Sequence, residues 1–198
     1  MDTTTPPIGA TSVSRRDFLL AGTALAALAG VPTPGRAQQP VVSSGFWNLP
    51  RTLWLRRAAT GEELREVYFY DGRIHVQGYD RVCRLLRDTR TGQAVRMDPV
   101  LLDILRGVQG WFEAYGFRRP IMVNSGYRSP HTNSTTEGAA LDSLHMRAKA
   151  ADIWIQGVPS DYLARLGIYL SGGGVGFYPG AGKGFVHVDS GRLRIWRG

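Results

Sequence analysis

Three residues of this chain are of the types that hold a divalent metal, at spacings a fold can close. His145 and Asp152 lie seven positions apart in Ser143-Leu144-His145-Met146-Arg147-Ala148-Lys149-Ala150-Ala151-Asp152. His187 follows 35 residues after Asp152, in Gly184-Phe185-Val186-His187-Val188-Asp189. Two imidazoles and one carboxylate suit zinc and leave a fourth position open for water. If the three converge, they imply hydrolytic chemistry. A lone histidine in an apolar strand is commonly a satisfied core residue, so His187 gains meaning only from the other two.

The spacing dictates the elements. On a helix, positions seven apart share a face but sit about 10 Å apart along the axis. On one straight strand they point to opposite faces. Neither arrangement lets both side chains reach one ion with bonds of about 2 Å. His145 is therefore expected on a turn, and Asp152 on the strand that returns past it, with Ala148, Ala150 and Ala151 small enough for close packing. On that strand Ala150, Asp152 and Trp154 face one way, and Ala151, Ile153 and Ile155 face the core. Strand period puts His187 and Asp189 on one face. Asp189 is then placed either as the base beside the bound water or as the partner that orients His187.

Around these residues the pattern predicts a hairpin from Arg51–Arg56 and Glu66–Tyr70, then a turn at Asp71-Gly72 into residues 73–76. A short helix is predicted over Tyr79–Arg87. A longer one over Asp98–Tyr115 has Asp98 as cap, Pro99 at its first position and Gly116 as its stop. Leu101, Ile104, Leu105, Val108, Phe112 and Tyr115 give it an apolar stripe. Residues 120–124 and 149–155 read as strands and Ser160–Leu170 as a helix. Val175–Tyr178, Phe185–Val188 and Leu193–Trp196 read as three short strands. The glycines at 172–174 and 176 follow a helix and precede a strand. That is the reverse of a phosphate cradle, so they are read as a stop and turn. The expected class is α+β, a small antiparallel sheet carrying the metal site and flanked by helices.

Ser143, His145, Ala150 and Asp152, with the later strand histidine, match the Ser-x-His-x-x-Gly-x-Ala-x-Asp pattern of the zinc D-Ala-D-Ala peptidases, which group with the lysostaphin-type and hedgehog-type metallopeptidases. Ala148 stands where that pattern has Gly. Ser-Gly-Tyr-Arg-Ser at 125–129, Gly-Val-Gly-Phe-Tyr-Pro at 174–179 and Phe-Val-His-Val-Asp at 185–189 resemble the murein endopeptidase K branch. The resemblance covers roughly residues 50–198. It implies a hedgehog-like peptidase fold, one zinc ion on His145, Asp152 and His187, and Arg128 holding a substrate carboxylate, a task its planar fork suits. It also implies peptidoglycan stem peptides or their cross-links as substrate. Other members carry a Glu three residues before the last ligand or a His two before it. Gly184 and Phe185 occupy those positions here, so the base is not supplied by resemblance. Asp189 is the physical substitute, with His131 and Glu137 in the preceding loop as outside candidates. Asp142 and Ser143 are read as shaping the turn, His75 as structural, and Trp154 and Tyr178 as either bordering the groove or packing in the core. The missing base also motivates a contrasting reading, a catalytically inactive zinc-containing module that binds cell wall.

The N-terminus reads as an address. Arg15-Arg16 precedes an apolar stretch from Leu19 to Val31, and Gly35-Arg36-Ala37 offers a cleavage site. This is the layout of a twin-arginine signal peptide over residues 1–37, and it places the product in the periplasm. The apolar run falls short of the roughly 20 residues a membrane span needs. Residues 38–50 read as a linker or arm and 51–198 as a single domain. One cysteine, Cys83, excludes an internal disulfide, and its apolar neighbours mark it as a small buried hydrophobe. The formal net charge of +8 suits an anionic partner such as cell-wall polymer. The export signal and the lack of an aromatic and arginine cluster oppose nucleic acid.

Overall fold

The computed structural model describes residues 45–180 and 184–198. The expected signal peptide and the first part of the expected linker lie outside the described residues. Strands β1 (Arg51–Arg57), β2 (Glu63–Tyr70) and β3 (Arg73–Ile74) are followed by helices α1 (Val76–Leu85) and α2 (Pro99–Ala114). Strand β4 (Ile121–Ser125), the short helix α3 (Pro130–Ser134), β5 (Ala150–Ile155) and α4 (Ser160–Leu170) come next. Strands β6 (Gly174–Tyr178), β7 (Phe185–Asp189) and β8 (Arg194–Arg197) complete the chain.

The α+β class holds, but the sheet corrects the expectation of a small antiparallel one. The eight strands of the described residues form one sheet, in the order β3-β2-β1-β4-β5-β7-β6-β8. It is mixed: β1 runs parallel to β4 and β6 parallel to β8, and the other pairs are antiparallel. The N-terminal hairpin is thus no separate ornament. The chain leaves it, crosses through α1 and α2, and returns as β4 beside β1, because parallel neighbours need such a crossover.

Local chemistry explains the elements that carry the site. Asp98 caps α2 by accepting from the Val100 N–H at 3.0 Å, and Pro99 opens the helix. Gly116 stops it with φ of 75°. Leu101, Leu105 and Val108 are fully buried against Leu53 and Leu55 of β1 and their neighbours. Gln109 fixes the helix to the sheet: its Oε1 accepts from the Trp54 N–H at 2.9 Å, and its Nε2 donates to the Trp54 carbonyl at 3.1 Å. The segment before β1 packs on the same helix, where the Phe46 ring lies against Gly110 and under the Arg106 guanidinium at 4.6 Å.

Helix α1 begins at Val76, three residues earlier than predicted, and the loop after β4 holds the unpredicted α3. There Ser129 accepts from the Thr132 N–H at 3.2 Å and Pro130 starts the turn. Cys83 is buried, as its neighbours suggested. Among the described residues no helix is long and apolar enough to cross a membrane.

Candidate metal centre

Strand β5 sits between β4 and β7, and its register builds the site. Asp152 pairs with Ser125 on one side and directly with His187 on the other. Opposed residues on antiparallel strands project to the same face. Ala151 and Ile153 pair with Val188 and Val186, and all four are buried in the core cluster. His145 arrives from a turn, as the spacing required. The Lys149 N–H donates to the Leu144 carbonyl at 3.0 Å, and the Met146 N–H to the Ser143 carbonyl at 3.1 Å. Asp142, beside this turn, is exposed and ion-paired to Arg147 at 2.6 Å. Ala148 closes the turn with φ of 56°, a left-handed conformation that suits glycine and explains why the motif has Gly there.

His145, Asp152 and His187 thereby come together, all buried. His145 Nε2 lies 3.2 Å from Asp152 Oδ1 and 3.1 Å from His187 Nδ1, which is itself 2.9 Å from Asp152 Oδ1. The outer atoms of the rings settle their tautomers. His145 Nδ1 donates to the Gly126 carbonyl at 2.6 Å, so its Nε2 carries a lone pair. His187 Nε2 donates to Asp189 Oδ2 at 3.1 Å, so its Nδ1 does likewise. Three lone-pair atoms at such distances repel unless a cation lies among them. Tetrahedral bonds of about 2.0–2.1 Å separate ligand atoms by about 3.4 Å, within a few tenths of the spacing observed. The donor set and its aim therefore fit a divalent metal.

The electrostatics agree. Burial opposes ionised Asp152, yet the two histidines outweigh it and hold the carboxyl well below the usual range. Burial lowers the pKa of His145 against the pull of Asp152. Burial also works to lower that of His187, but hydrogen bonds to Asp152 and Asp189 raise it.

Asp189 faces away from the converging atoms, on the other nitrogen of His187. It is fully buried. Its oxygens also accept from the Gly174 and Gly191 N–H groups at 3.1 and 2.8 Å, and from Arg194 at 3.1 and 2.8 Å. Burial opposes its ionised form, but the bond to His187 and then those to Gly191, Arg194 and Gly174 outweigh it and hold its carboxyl at about 2. A carboxylate so fully engaged matches the orienting role better than that of proton acceptor. The glycine cluster serves this residue: a Cβ on Gly174 would meet Asp189 Oδ2 at 2.5 Å.

A groove of about 460 Å³ opens over the histidines, with Arg128, Glu137, Tyr178, Phe185 and Trp196 in its walls. Arg128 Nη2 stands 3.9 Å from Asp152 Oδ2, and the Arg128 N–H donates to the His145 carbonyl at 3.2 Å. Tyr178 and Phe185 stack with centroids 4.5 Å apart, and Trp196 Nε1 donates to the Tyr178 hydroxyl at 3.0 Å. Trp196 also lies 5.1 Å from the His187 ring. Trp154 does not line this groove; its Nε1 donates to Asn124 Oδ1 at 3.0 Å.

A family model described as peptidoglycan L,D-endopeptidase MepK matches residues 47–196. The chain belongs to this family. Peptidoglycan L,D-endopeptidase MepK of Escherichia coli strain K12 is 33% identical over 188 residues, covering 92% of this chain and 97% of the relative. A probable peptidoglycan L,D-endopeptidase MepK of Haemophilus influenzae is 36% identical over 154 residues, covering 75% and 80%. Sequence reasoning missed several residues around the MepK-type centre. Trp196 and Arg194 read as ordinary alternation in a terminal strand. The Gly126 carbonyl is a backbone atom and leaves no side-chain signal.

Proposed function

We propose that this chain is an exported, zinc-dependent peptidase that hydrolyses peptide cross-links of peptidoglycan. The observation that carries the reading is the convergence of three lone-pair atoms on the floor of a groove, with both rings locked from behind. The names of the relatives point to an L,D bond, which occurs where one diaminopimelate is joined to another. The twin arginines and the apolar stretch after them support export to the periplasm.

His145, Asp152 and His187 would hold the metal, which when bound polarises the scissile carbonyl. The Gly126 carbonyl and Asp189 keep the two rings in the tautomer that presents a lone pair inward. Arg128 takes a carboxylate of the peptide by its planar fork. The Tyr178–Phe185–Trp196 wall gives the peptide a rigid apolar side. Asp189 orients His187, and the proton acceptor is assigned instead to Glu137, which lines the groove and makes no ion pair among the described residues.

The test is incubation of the purified protein with cross-linked stem-peptide dimers, with and without chelator. Release of monomers that chelation stops and one equivalent of zinc restores is the expected result. Dimer that is bound but never cleaved, with zinc in place, would favour the inactive wall-binding module.

A further inference from the structure

Beside the groove lies a second cavity, of about 180 Å³, whose walls include Arg57, Arg90, Arg128, Asp88 and Asp152. Arg128 and Asp152 belong to both cavities, so the two adjoin at the metal centre. Arg57 ends β1 and is only 3% exposed. Its backbone is fully engaged: its N–H donates to the Glu62 carbonyl at 2.7 Å, and its carbonyl accepts from the Gly61 N–H at 2.9 Å. Its side chain is not. Nε and Nη1 are buried with no hydrogen-bond partner among the described residues, and Arg128 Nε is in the same condition.

Neither carboxylate of the cavity hydrogen-bonds Arg57. Asp88 accepts from the Arg90 and Thr91 N–H groups at 2.9 and 3.3 Å, and from the Ser129 N–H and hydroxyl at 2.9 and 2.7 Å. Asp152 is turned to the histidines and to Arg128. A buried guanidinium with two nitrogens lacking a hydrogen-bond partner is costly, and a fold gains no stability by keeping it. Burial, and then the neighbouring Arg87, lower the pKa of Arg57 against the pull of Asp88, Glu62 and Asp152. A carboxylate meets a guanidinium fork to fork on its Nη1–Nη2 or its Nε–Nη2 edge, so one such anion would give one of the unpartnered nitrogens, together with Nη2, an acceptor.

We propose that Arg57 and Arg128 form a carboxylate subsite in this cavity, so that the substrate is selected by a free carboxylate next to the bond presented in the groove. The proposal rests on the peptidase reading above and deepens it. Arg57 is a specificity residue and takes no part in the chemistry of the scissile bond.

The experiment uses two probes, a diaminopimelate-linked stem-peptide dimer with free carboxylates and the same dimer with those groups as carboxamides. Turnover is measured on metal-loaded protein. Equilibrium binding is measured by calorimetry on chelated protein. Wild type should prefer the carboxylate dimer by about tenfold or more, the value of a hydrogen bond to a charged group. Arg57→Met should erase that preference through KM and binding, keep kcat on the carboxamide dimer near wild type, and melt at the same temperature or higher. Arg57→Lys, which keeps the charge without the fork, should retain part of the preference. A wild-type preference in Arg57→Met overturns the subsite, as does failure of the wild type to bind either dimer. If Arg57→Met does not fold, an undiminished preference in Arg57→Lys overturns it. Should neither dimer be cleaved while an Arg57-dependent binding preference persists, the subsite stands and the peptidase reading falls.

Discussion

His187 is held at both ring nitrogens, and the two contacts do different work. Nδ1 faces Asp152 and His145, while Nε2 is tied to Asp189. Removing the ring in His187→Ala takes away a ligand, and the metal content of the purified protein should fall to near zero. Replacing Asp189 by Asn keeps the shape of the side chain but loses the charge that orients the ring. Loss of such a partner weakens metal binding by about 10- to 100-fold. Activity of Asp189→Asn should therefore fall in step with metal occupancy and recover in excess zinc. Activity that stays lost with a full equivalent bound would restore Asp189 as the proton acceptor. Glu137→Gln should behave the opposite way, with metal fully retained and kcat lowered by about 100-fold, the scale of a general base. Metal titration beside steady-state kinetics separates the two variants.

The turn from Ser143 to Ala148 and strand β5 show which parts of an element a sequence reveals. His145 and Asp152 are of ligand type at a spacing that forbids a shared helix or strand, so the turn and returning strand were legible from the residues alone. Helix α2 was legible because cap, proline and stop residues all agree. The parallel pairing of β1 with β4 was not, since its register depends on contacts across the α1–α2 crossover. Arg57 was missed for a related reason: in sequence it is one more arginine at a strand end, and only packing buries it. Backbone needs were half legible. Ala148 departs from the glycine of the motif, and its φ of 56° shows the cost. Relief of left-handed strain, about 1–2 kcal/mol, is offset in Ala148→Gly by a lost buried methyl and extra chain entropy, together of similar size. That variant should melt within about 1 kcal/mol of the parent in denaturant titration. Ala148→Val, β-branched where φ is positive, should lose about 2 kcal/mol or more. Gly126 is stricter. A Cβ there would meet the Leu86 carbonyl oxygen at 2.3 Å, and the Gly126 carbonyl holds the His145 ring. Gly126→Ala should lower both the denaturant midpoint, by about 1–3 kcal/mol of overpacking, and the metal affinity.

Across the whole molecule one carboxylate joins the N-terminal half to the loop that carries Arg128. Asp88 follows α1 in sequence, binds the N–H groups of Arg90 and Thr91 in its own turn, and reaches Ser129, next to Arg128. Burial works against its ionised form, but the donors of Thr132, Ser129 and Arg90 outweigh it and hold its carboxyl well below the usual carboxylate range. The folded protein therefore releases this proton at lower pH than the unfolded chain, whose Asp titrates near about 3.9. The stability so gained is complete above that value and is lost as pH falls toward the folded value. The chain also carries a formal net charge of +8, so further protonation in acid adds repulsion to the lost bonds. The melting temperature should be flat from about pH 7 to 5 and fall steeply below about pH 4. Asp88→Asn presents an amide N–H₂ where two of these donors need an acceptor, and leaving buried groups unmatched costs about 1–3 kcal/mol. It should melt lower at pH 7 and show a shallower fall below pH 4, because the titrating group is gone. Parallel acid limbs for the two proteins, recorded by circular dichroism, would show that Asp88 is not the link between the halves.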